Sequence, residues 1–269
     1  MALISRRAAL AGIGAAMLVP RIGHATTPCC DIRYLEGLGA EGALHPSVAY
    51  IPPSRIHPSY QMAIYINAGA GSDAAQKMWV LKRNGGTWRL GLWDAEYWQA
   101  KAPGAPPAYS WPVSTGRKYS DSPSGPTPLG VFNVDDRNHR HRKGWGSPGM
   151  YHSIYFDLHY GGGRASGVAM HGTTRSKYRL LGRIDSHGCV RMTQANAEQM
   201  WQVFHPGDAR GAASPLWGEV PRYFRSEPRP DGRPRYGYVR DGSLLKDERA
   251  KVLTKEGYRA VIVVFRDDL

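Results

Sequence analysis

A short stretch of the sequence brings together a cysteine, two histidines and an arginine, residue types that support acyl transfer. After His171 and an interval of 14 residues comes the run Ser186-His187-Gly188-Cys189-Val190-Arg191. A cysteine thiolate is a strong nucleophile, and a neighbouring histidine can take its proton and later return it. Gly188 permits a close backbone turn, so that N–H groups near Cys189 can hold an oxyanion, and Arg191 suits a substrate carboxylate. These residues predict a nucleophilic cysteine enzyme.

Two other interpretations of the cluster remain open on sequence grounds. A lone cysteine in an exported protein can be an inert buried thiol, although His187 and His171 nearby disfavour that interpretation. Histidine and cysteine also bind zinc, but the sequence has neither a C-x-x-C pair nor an H-E-x-x-H motif, and the cluster contains one cysteine. We therefore predict neither a metal nor any other cofactor.

The elements that would position the cluster are mostly short strands. Asn84-Gly85-Gly86 between two apolar runs is a strong hairpin signal. Apolar or alternating segments predict further strands near residues 62–66, 109–113, 131–134, 150–156, 168–170 and 258–265, with turn-rich loops at 117–130 and 135–149. Thr193 as N-cap, followed by apolar residues at helical spacing, predicts one helix that Pro206-Gly207 ends. The predicted class is mainly β with one or two helices.

The N-terminal 25 residues have the pattern of an export signal. Arg6-Arg7 precede an apolar run, and a small-residue cleavage pattern ends at Ala25. The apolar run is too short to span a bilayer as a stable helix. The paired arginines favour the twin-arginine route, with an ordinary Sec signal as the alternative. We expect the mature protein to lie in the periplasm or cell envelope, without a transmembrane span.

The remaining chain is expected to form a leader and one domain. Residues 26–57 are polar and Pro-rich and are predicted to be a leader or linker. Residues 58–269 are predicted to be one catalytic domain in which residues 207–256 form a basic, Pro/Gly-rich excursion. In the expected leader, Cys29 and Cys30 are adjacent and could pair with each other only under strain. We expect them to have no catalytic role, with a disulfide to another chain as the alternative.

Composition limits the class of protein and of partner. Hydrophobic residues make up 42% of the chain, too many for a disordered protein, and three cysteines are too few for a disulfide scaffold. The formal net charge is +13, and about +10 remains once the three arginines of the signal are removed. Because export makes nucleic acid an unsuitable partner, we expect anionic envelope polymers to be a further partner of this basic surface.

The cluster and its flanks resemble the L,D-transpeptidases, the YkuD-type catalytic domain. His171 and the S-H-G-C-V-R run carry the signature. Flanking segments agree in order, and these are Val113-Ser114-Thr115-Gly116, the run Pro126 to Phe132, Met150 to Phe156, and Gly167 to Gly172. Several matching segments make the resemblance specific, and it covers about residues 60 to 205. It implies a β-sandwich with the cysteine motif on a loop before a helix.

The resemblance also implies a reaction and the parts that residues play in it. A cysteine acyltransferase of this family attacks peptidoglycan stem tetrapeptides, releases D-Ala through a thioester, and forms 3→3 cross-links. Cys189 would be the nucleophile and His171 the general base, oriented by the backbone carbonyl of Gly172. His187 and Gly188 would shape the oxyanion site with the Cys189 backbone. Arg191 would help to place the substrate, and Ser186 would hold the loop at this substrate-binding region by hydrogen bonding.

Other functions remain open on sequence grounds. The same cysteine and histidine site could hydrolyse its substrate, as an L,D-carboxypeptidase or as an amidase that frees wall-attached protein. A non-catalytic envelope-binding module is a further alternative, supported by the positive charge and the arginine-rich excursion. The complete set of cysteine, histidine and arginine argues against it, because a binding module needs no thiolate.

Overall fold

In a computed structural model of the chain, the described residues are 31–46, 48–100, 108–117, 125–140, 149–159, 165–223 and 243–269. The expected export signal, Cys29, Cys30 and the arginine-rich centre of the excursion lie outside these ranges. Among the described residues, no helix is long and apolar enough to cross a membrane.

Strands form most of the regular structure. They are β1 Met62–Asn67, β2 Lys77–Asn84, β3 Thr87–Leu90, β4 Ser110–Pro112, β5 Gly130–Arg140, β6 Ser153–Phe156, β7 Ala169–Gly172, β8 Val190–Met192, β9 Trp217–Pro221, β10 Thr254–Tyr258 and β11 Ala260–Phe265. The described α-helices are α1 Ile32–Gly37, α2 Ala95–Ala100 and α3 Gln194–Phe204. The predicted mainly β class is confirmed.

One large sheet carries the site at one end. Its strands follow the order β3-β2-β1-β11-β5-β6-β7-β8, with β4 paired to β2. The central strand β11 runs parallel to β1 and antiparallel to β5. At the far end β7 and β8 run parallel to each other. Strands β9 and β10 form a separate two-stranded sheet.

Both faces of the central strands are covered, which explains their continuous apolar sequences. All residues of β1 and β11 are buried. Alternate side chains of a strand point to opposite faces, so Ile64 and Ile262 join one core while Tyr65 and Val263 join the other. The first core, which contains Ile64, also includes the apolar residues of α3. This packing holds α3 against β7, next to the site residues.

Helix α3 confirms the helix prediction. The Thr193 side chain accepts a hydrogen bond from the Asn196 N–H, which caps the first turn. Ala197, Met200 and Phe204 are buried on one face. The helix ends at Phe204, two residues before Pro206, which cannot supply the N–H that a continuing helix needs.

The segment predicted as a leader or linker over residues 26–57 differs in its described part. Asp31 caps α1 by accepting from two backbone N–H groups, and Leu35, Val48, Ile51 and Ile56 are buried in the second core. These apolar residues are spaced too irregularly to show a helix or strand period, because they enter the core from a short helix and turns. Burial of each of these side chains still stabilises the packing of the segment against the second core.

One loop prediction was wrong in part, and the predicted excursion contains strands. Strand β5 continues to Arg140, into the predicted loop at 135–149, and the predicted excursion at 207–256 contains β9 and the start of β10. The small sheet contacts the rest of the domain through Val220 and Tyr258, which are buried in the two cores, and through Lys255, whose Nζ lies 2.5 Å from Asp157 Oδ2 and 3.2 Å from Asp136 Oδ2. Strands β9 and β10 each mix glycine, charged and apolar residues within five positions, so no period is visible in their sequences.

Candidate active site

The pairing of β7 with β8 sets the geometry of the candidate site. The parallel register aligns His171 with Arg191 and Met170 with Val190. Because Met170 and Val190 belong to the first core, His171 and Arg191 point to the opposite face. Cys189 lies directly before β8, where its thiol meets the Ala169 backbone of β7 and the charge of Arg191. The two strands thus pair the predicted base with the predicted cation, and the predicted nucleophile lies at the start of β8 beside β7.

His171 is buried and held in one tautomer. Its Nδ1 lies 2.7 Å from the carbonyl oxygen of Gly172. A carbonyl oxygen only accepts, so Nδ1 carries the hydrogen and the lone pair remains on Nε2. Burial lowers the pKa of His171 to about 4, and the charge of Arg191 acts in the same direction, while the bond to Gly172 opposes both. The imidazole is therefore neutral at pH 7 and able to accept a proton.

Cys189 is a free thiol, half-buried beside β7. Its Sγ lies 3.7 Å from the carbonyl oxygen of Gly167. Burial raises the pKa of the thiol, whereas a hydrogen bond from the Ala169 backbone and the charge of Arg191 lower it. Since burial is the largest effect, the resting group at neutral pH is the protonated thiol.

The backbone before Cys189 is pressed against a neighbouring segment. Gly188 has φ of +120°, a conformation open to glycine. A Cβ on Gly116 would lie 2.5 Å from the Gly188 nitrogen, so only glycine fits at that contact. The buried hydroxyl of Thr127 accepts from the Gly116 N–H at 2.8 Å and donates to the Gly188 carbonyl at 2.9 Å. This hydroxyl fixes the spacing of the two backbones.

Ser186 is fully buried and bonds within the loop. Its hydroxyl donates to the carbonyl oxygen of Cys189 and accepts from the Gly188 N–H at 3.2 Å. Its own backbone N–H donates to Thr115, and its carbonyl accepts from Arg117. The loop is consequently closed on itself and bonded to the segment after β4. The His187 side chain, in contrast, is exposed at the surface.

Arg191 shares its charge with a carboxylate. Its Nη1 lies 3.0 Å from Asp185 Oδ2, and both side chains are largely buried. The Arg191 backbone exchanges two hydrogen bonds with Ser114, which attaches β8 to the same segment that contacts Gly188. Among the described residues, no group of three or more histidine, cysteine, aspartate or glutamate side chains could hold a metal ion.

Gln194, the first residue of α3, packs against Gly172, whose carbonyl oxygen is bonded to His171. Its Nε2 donates to the carbonyl oxygens of Gly149 at 2.6 Å and Thr173 at 3.1 Å. The side chain leaves no room beside Gly172, where a Cβ would lie 2.2 Å from Gln194 Oε1. Since the Gly172 carbonyl fixes the His171 tautomer, Gln194 limits how that carbonyl can move.

Sequence reasoning missed three of these supporting residues. Thr127 lay within a recognised segment but had no assigned part, and neither Asp185 nor Gln194 was singled out. Their partners are distant in sequence or on another element, as with Thr127 and Gly188, which are 61 positions apart. The one available signal was the position of Asp185, directly before the S-H-G-C run.

A comparison with protein families identifies the chain. The sequence model of the L,D-transpeptidase catalytic domain, YkuD, matches residues 72–215, more than half of the chain. The chain belongs to this family. The family predicted from the sequence is therefore confirmed. No curated protein sequence matches the chain.

Solved L,D-transpeptidase structures are similar to this chain over about half its length. An L,D-transpeptidase from Mycobacterium tuberculosis H37Rv has 16% identity and a TM-score of 0.32, and the match covers 53% of each chain. L,D-transpeptidase 3 from Mycobacterium tuberculosis has 16% identity and a TM-score of 0.34, covering 53% of this chain and 57% of that one. For the enzyme from Mycobacterium smegmatis the values are 16%, 0.29, 58% and 57%. The matched region thus spans just over half the length of these L,D-transpeptidases.

Proposed function

We propose that this protein is an exported peptidoglycan L,D-transpeptidase that acts through a thioester on Cys189. The observation that carries the proposal is the pairing of His171 with Arg191 across β7 and β8, with Cys189 directly before β8 and bonded to the Ala169 backbone of β7. Membership in the L,D-transpeptidase family adds the substrate class, the stem peptides of peptidoglycan. The expected signal at residues 1–25 adds the compartment, the periplasm or cell envelope.

In the proposed first half-reaction the thiol attacks the carbonyl at the L-centre of the stem's diamino acid. His171 Nε2 takes the Sγ proton as the bond from sulfur to carbon forms. The backbone N–H groups of His187 and Cys189 are the candidate donors to the oxyanion, and Gly188, whose N–H is bonded to Ser186, shapes the turn between them. The intermediate collapses by breaking the bond to the D-Ala nitrogen, and His171 returns its proton to that leaving amine.

In the second half-reaction an amine of another stem attacks the thioester. His171 accepts the proton of the attacking nitrogen, the bond from carbon to sulfur breaks, and the sulfur regains a proton. The product is a 3→3 cross-link. With water in place of the amine the same steps release a tripeptide, and the activity is then that of an L,D-carboxypeptidase. In both cases Arg191 places a substrate carboxylate, exchanging part of its pairing with Asp185.

Product analysis tests the proposal. The mature chain is incubated with a purified disaccharide-tetrapeptide, and products are identified by mass spectrometry. A dimer formed with loss of D-Ala is expected, and Cys189→Ala is expected to abolish it without changing the melting temperature. Tripeptide alone would indicate the carboxypeptidase. No turnover by folded protein with a free thiol, or full turnover by Cys189→Ala, would refute the proposal.

A further inference from the structure

A second cleft lies at the opposite end of α3 from the candidate active site. It lies where the start of β1, the end of β2 and the C-terminal end of α3 meet, and has a volume of about 370 Å³, within the range of small-ligand sites. Gln194 touches the Gly172 turn, whereas Val203 lines the cleft, so about 14 Å of helix separates the two places. Val203, Met62 and Leu216 give the cleft apolar walls.

Lys82 is a partly buried cation at this cleft. It pairs with Met62 across the sheet, its aliphatic part lies over Gly91, and it is about half-buried. Burial lowers the pKa of its ammonium group, and no carboxylate of the described residues forms an ion pair with it. A partly desolvated charge without a counter-ion is costly, so an anion entering the cleft would gain a preformed partner.

Arg83, the next residue of β2, points to the opposite face of the sheet from Lys82. The guanidinium of Arg83 donates to the carbonyl oxygens of Tyr60 at 3.1 Å and Ile56 at 3.0 Å, and lies 4.4 Å from the centre of the Trp88 ring. These partners belong to the second core, so the charge that faces the cleft is that of Lys82. No acidic residue lines the cleft in the part of the chain that the structure describes.

We propose that this cleft binds a short peptide by its carboxylate, with Lys82 as the counter-ion. The apolar walls accept alkyl side chains, and the amide side chains of Gln61 and Gln202, also at the cleft, match peptide groups. The proposed function supplies the source of such a peptide, a peptidoglycan stem other than the one that reacts at Cys189. To that extent the inference rests on the proposed function.

Competitive labelling of lysines tests the site directly. The folded mature chain is acetylated with a limiting reagent in the presence of a stem tripeptide, which cannot donate an acyl group through loss of D-Ala. Modification is measured for each lysine by mass spectrometry. At a peptide concentration about three times its Kd, labelling of Lys82 should slow about fourfold by mass action. Exposed Lys251, far along the chain, is the matched control and should not change.

The same tripeptide with its carboxylates amidated separates charge recognition from apolar contact. It should leave Lys82 unprotected, and equal protection by both peptides, or by neither, would overturn the proposal. In a second measurement, Lys82→Gln should lose one equivalent of bound tripeptide in calorimetry and retain turnover of the soluble donor. Unchanged stoichiometry in the variant would overturn the proposal as well.

Failure of the two proposals can be told apart. Labelling of Lys82 needs no chemistry at Cys189, and it is repeated in the Cys189→Ala chain with the same expected protection. Protection of Lys82 in a chain that shows no turnover would contradict the proposed function and support the peptide site. Turnover with no protection would support the function and overturn the peptide site.

Discussion

Replacing Thr127 by valine tests whether one hydroxyl holds the candidate oxyanion loop. Thr127 is 3% exposed, and its hydroxyl makes both bonds between Gly116 and Gly188. Valine keeps the approximate shape and removes the hydroxyl. Each lost bond costs about 1 kcal/mol, and a buried group left without a partner adds about 1–3 kcal/mol. We expect the free energy of unfolding to fall by about 3 kcal/mol.

The matched control is Thr127→Ser, which retains the hydroxyl and loses a methyl group. That loss costs about 1 kcal/mol, so the serine variant should be more stable than the valine variant. For a domain of this size, 3 kcal/mol corresponds to a fall in Tm of about 6–12 °C. Thermal unfolding with the urea midpoint measures the difference between the two variants.

Activity supplies a second measurement on the same variants. Loosening Gly188 displaces the N–H groups next to Cys189, so turnover by Thr127→Val should fall about tenfold or more, at temperatures where it remains folded. Thr127→Ser should stay near the wild type. The reasoning fails if the valine variant is as stable as the wild type, or if serine and valine reduce stability and turnover equally.

Two further predictions concern the histidine. Gln194→Ala removes the side chain that donates to Gly149 and Thr173 and packs on Gly172. We expect kcat to fall about tenfold with little change in KM. Steady-state kinetics that show a change in KM alone would contradict this prediction. The pKa of His171 is about 4 in the folded chain against an ordinary 6.5, so the unfolded chain binds the extra proton between these values. Stability should therefore hold above pH 6.5 and decline towards pH 4. The urea midpoint should decline less over this range in His171→Gln than in the wild type. An equal pH dependence of the midpoint in the two chains would refute the assignment of the decline to His171.

The sequence predicted the parts of the fold whose patterns are local. The alternation of Met62, Ile64 and Ile66 identified β1, and Asn84-Gly85-Gly86 identified the hairpin of β2 and β3, because period and turn chemistry are both visible over a few residues. Thr193 and the apolar spacing after it identified α3. The family signature, which needs only residue types in order, was equally visible.

The parts that could not be predicted depend on contacts between distant segments. Strand β8 has three residues, too few for a period, and it forms because β7 lies beside it. Gln194 was an ordinary helical position until its contact with Gly149, 45 residues away, was known. The packing of residues 31–56 on the second core depends on single apolar side chains at irregular intervals, which no periodicity reports.

The electrostatics of the site favour an uncharged pair at rest. Burial lowers the pKa of His171 and raises that of Cys189, so an imidazolium facing a thiolate would add two desolvated charges. Arg191 favours the thiolate and disfavours the imidazolium at the same time, which prevents it from stabilising both halves of that ion pair. In the proposed mechanism, proton transfer becomes favourable when a carbonyl carbon reaches the sulfur and the charge moves to an oxyanion held by backbone N–H groups. The same neutral thiol reacts slowly with oxidants, a useful property for a free cysteine in the oxidising compartment expected for this protein.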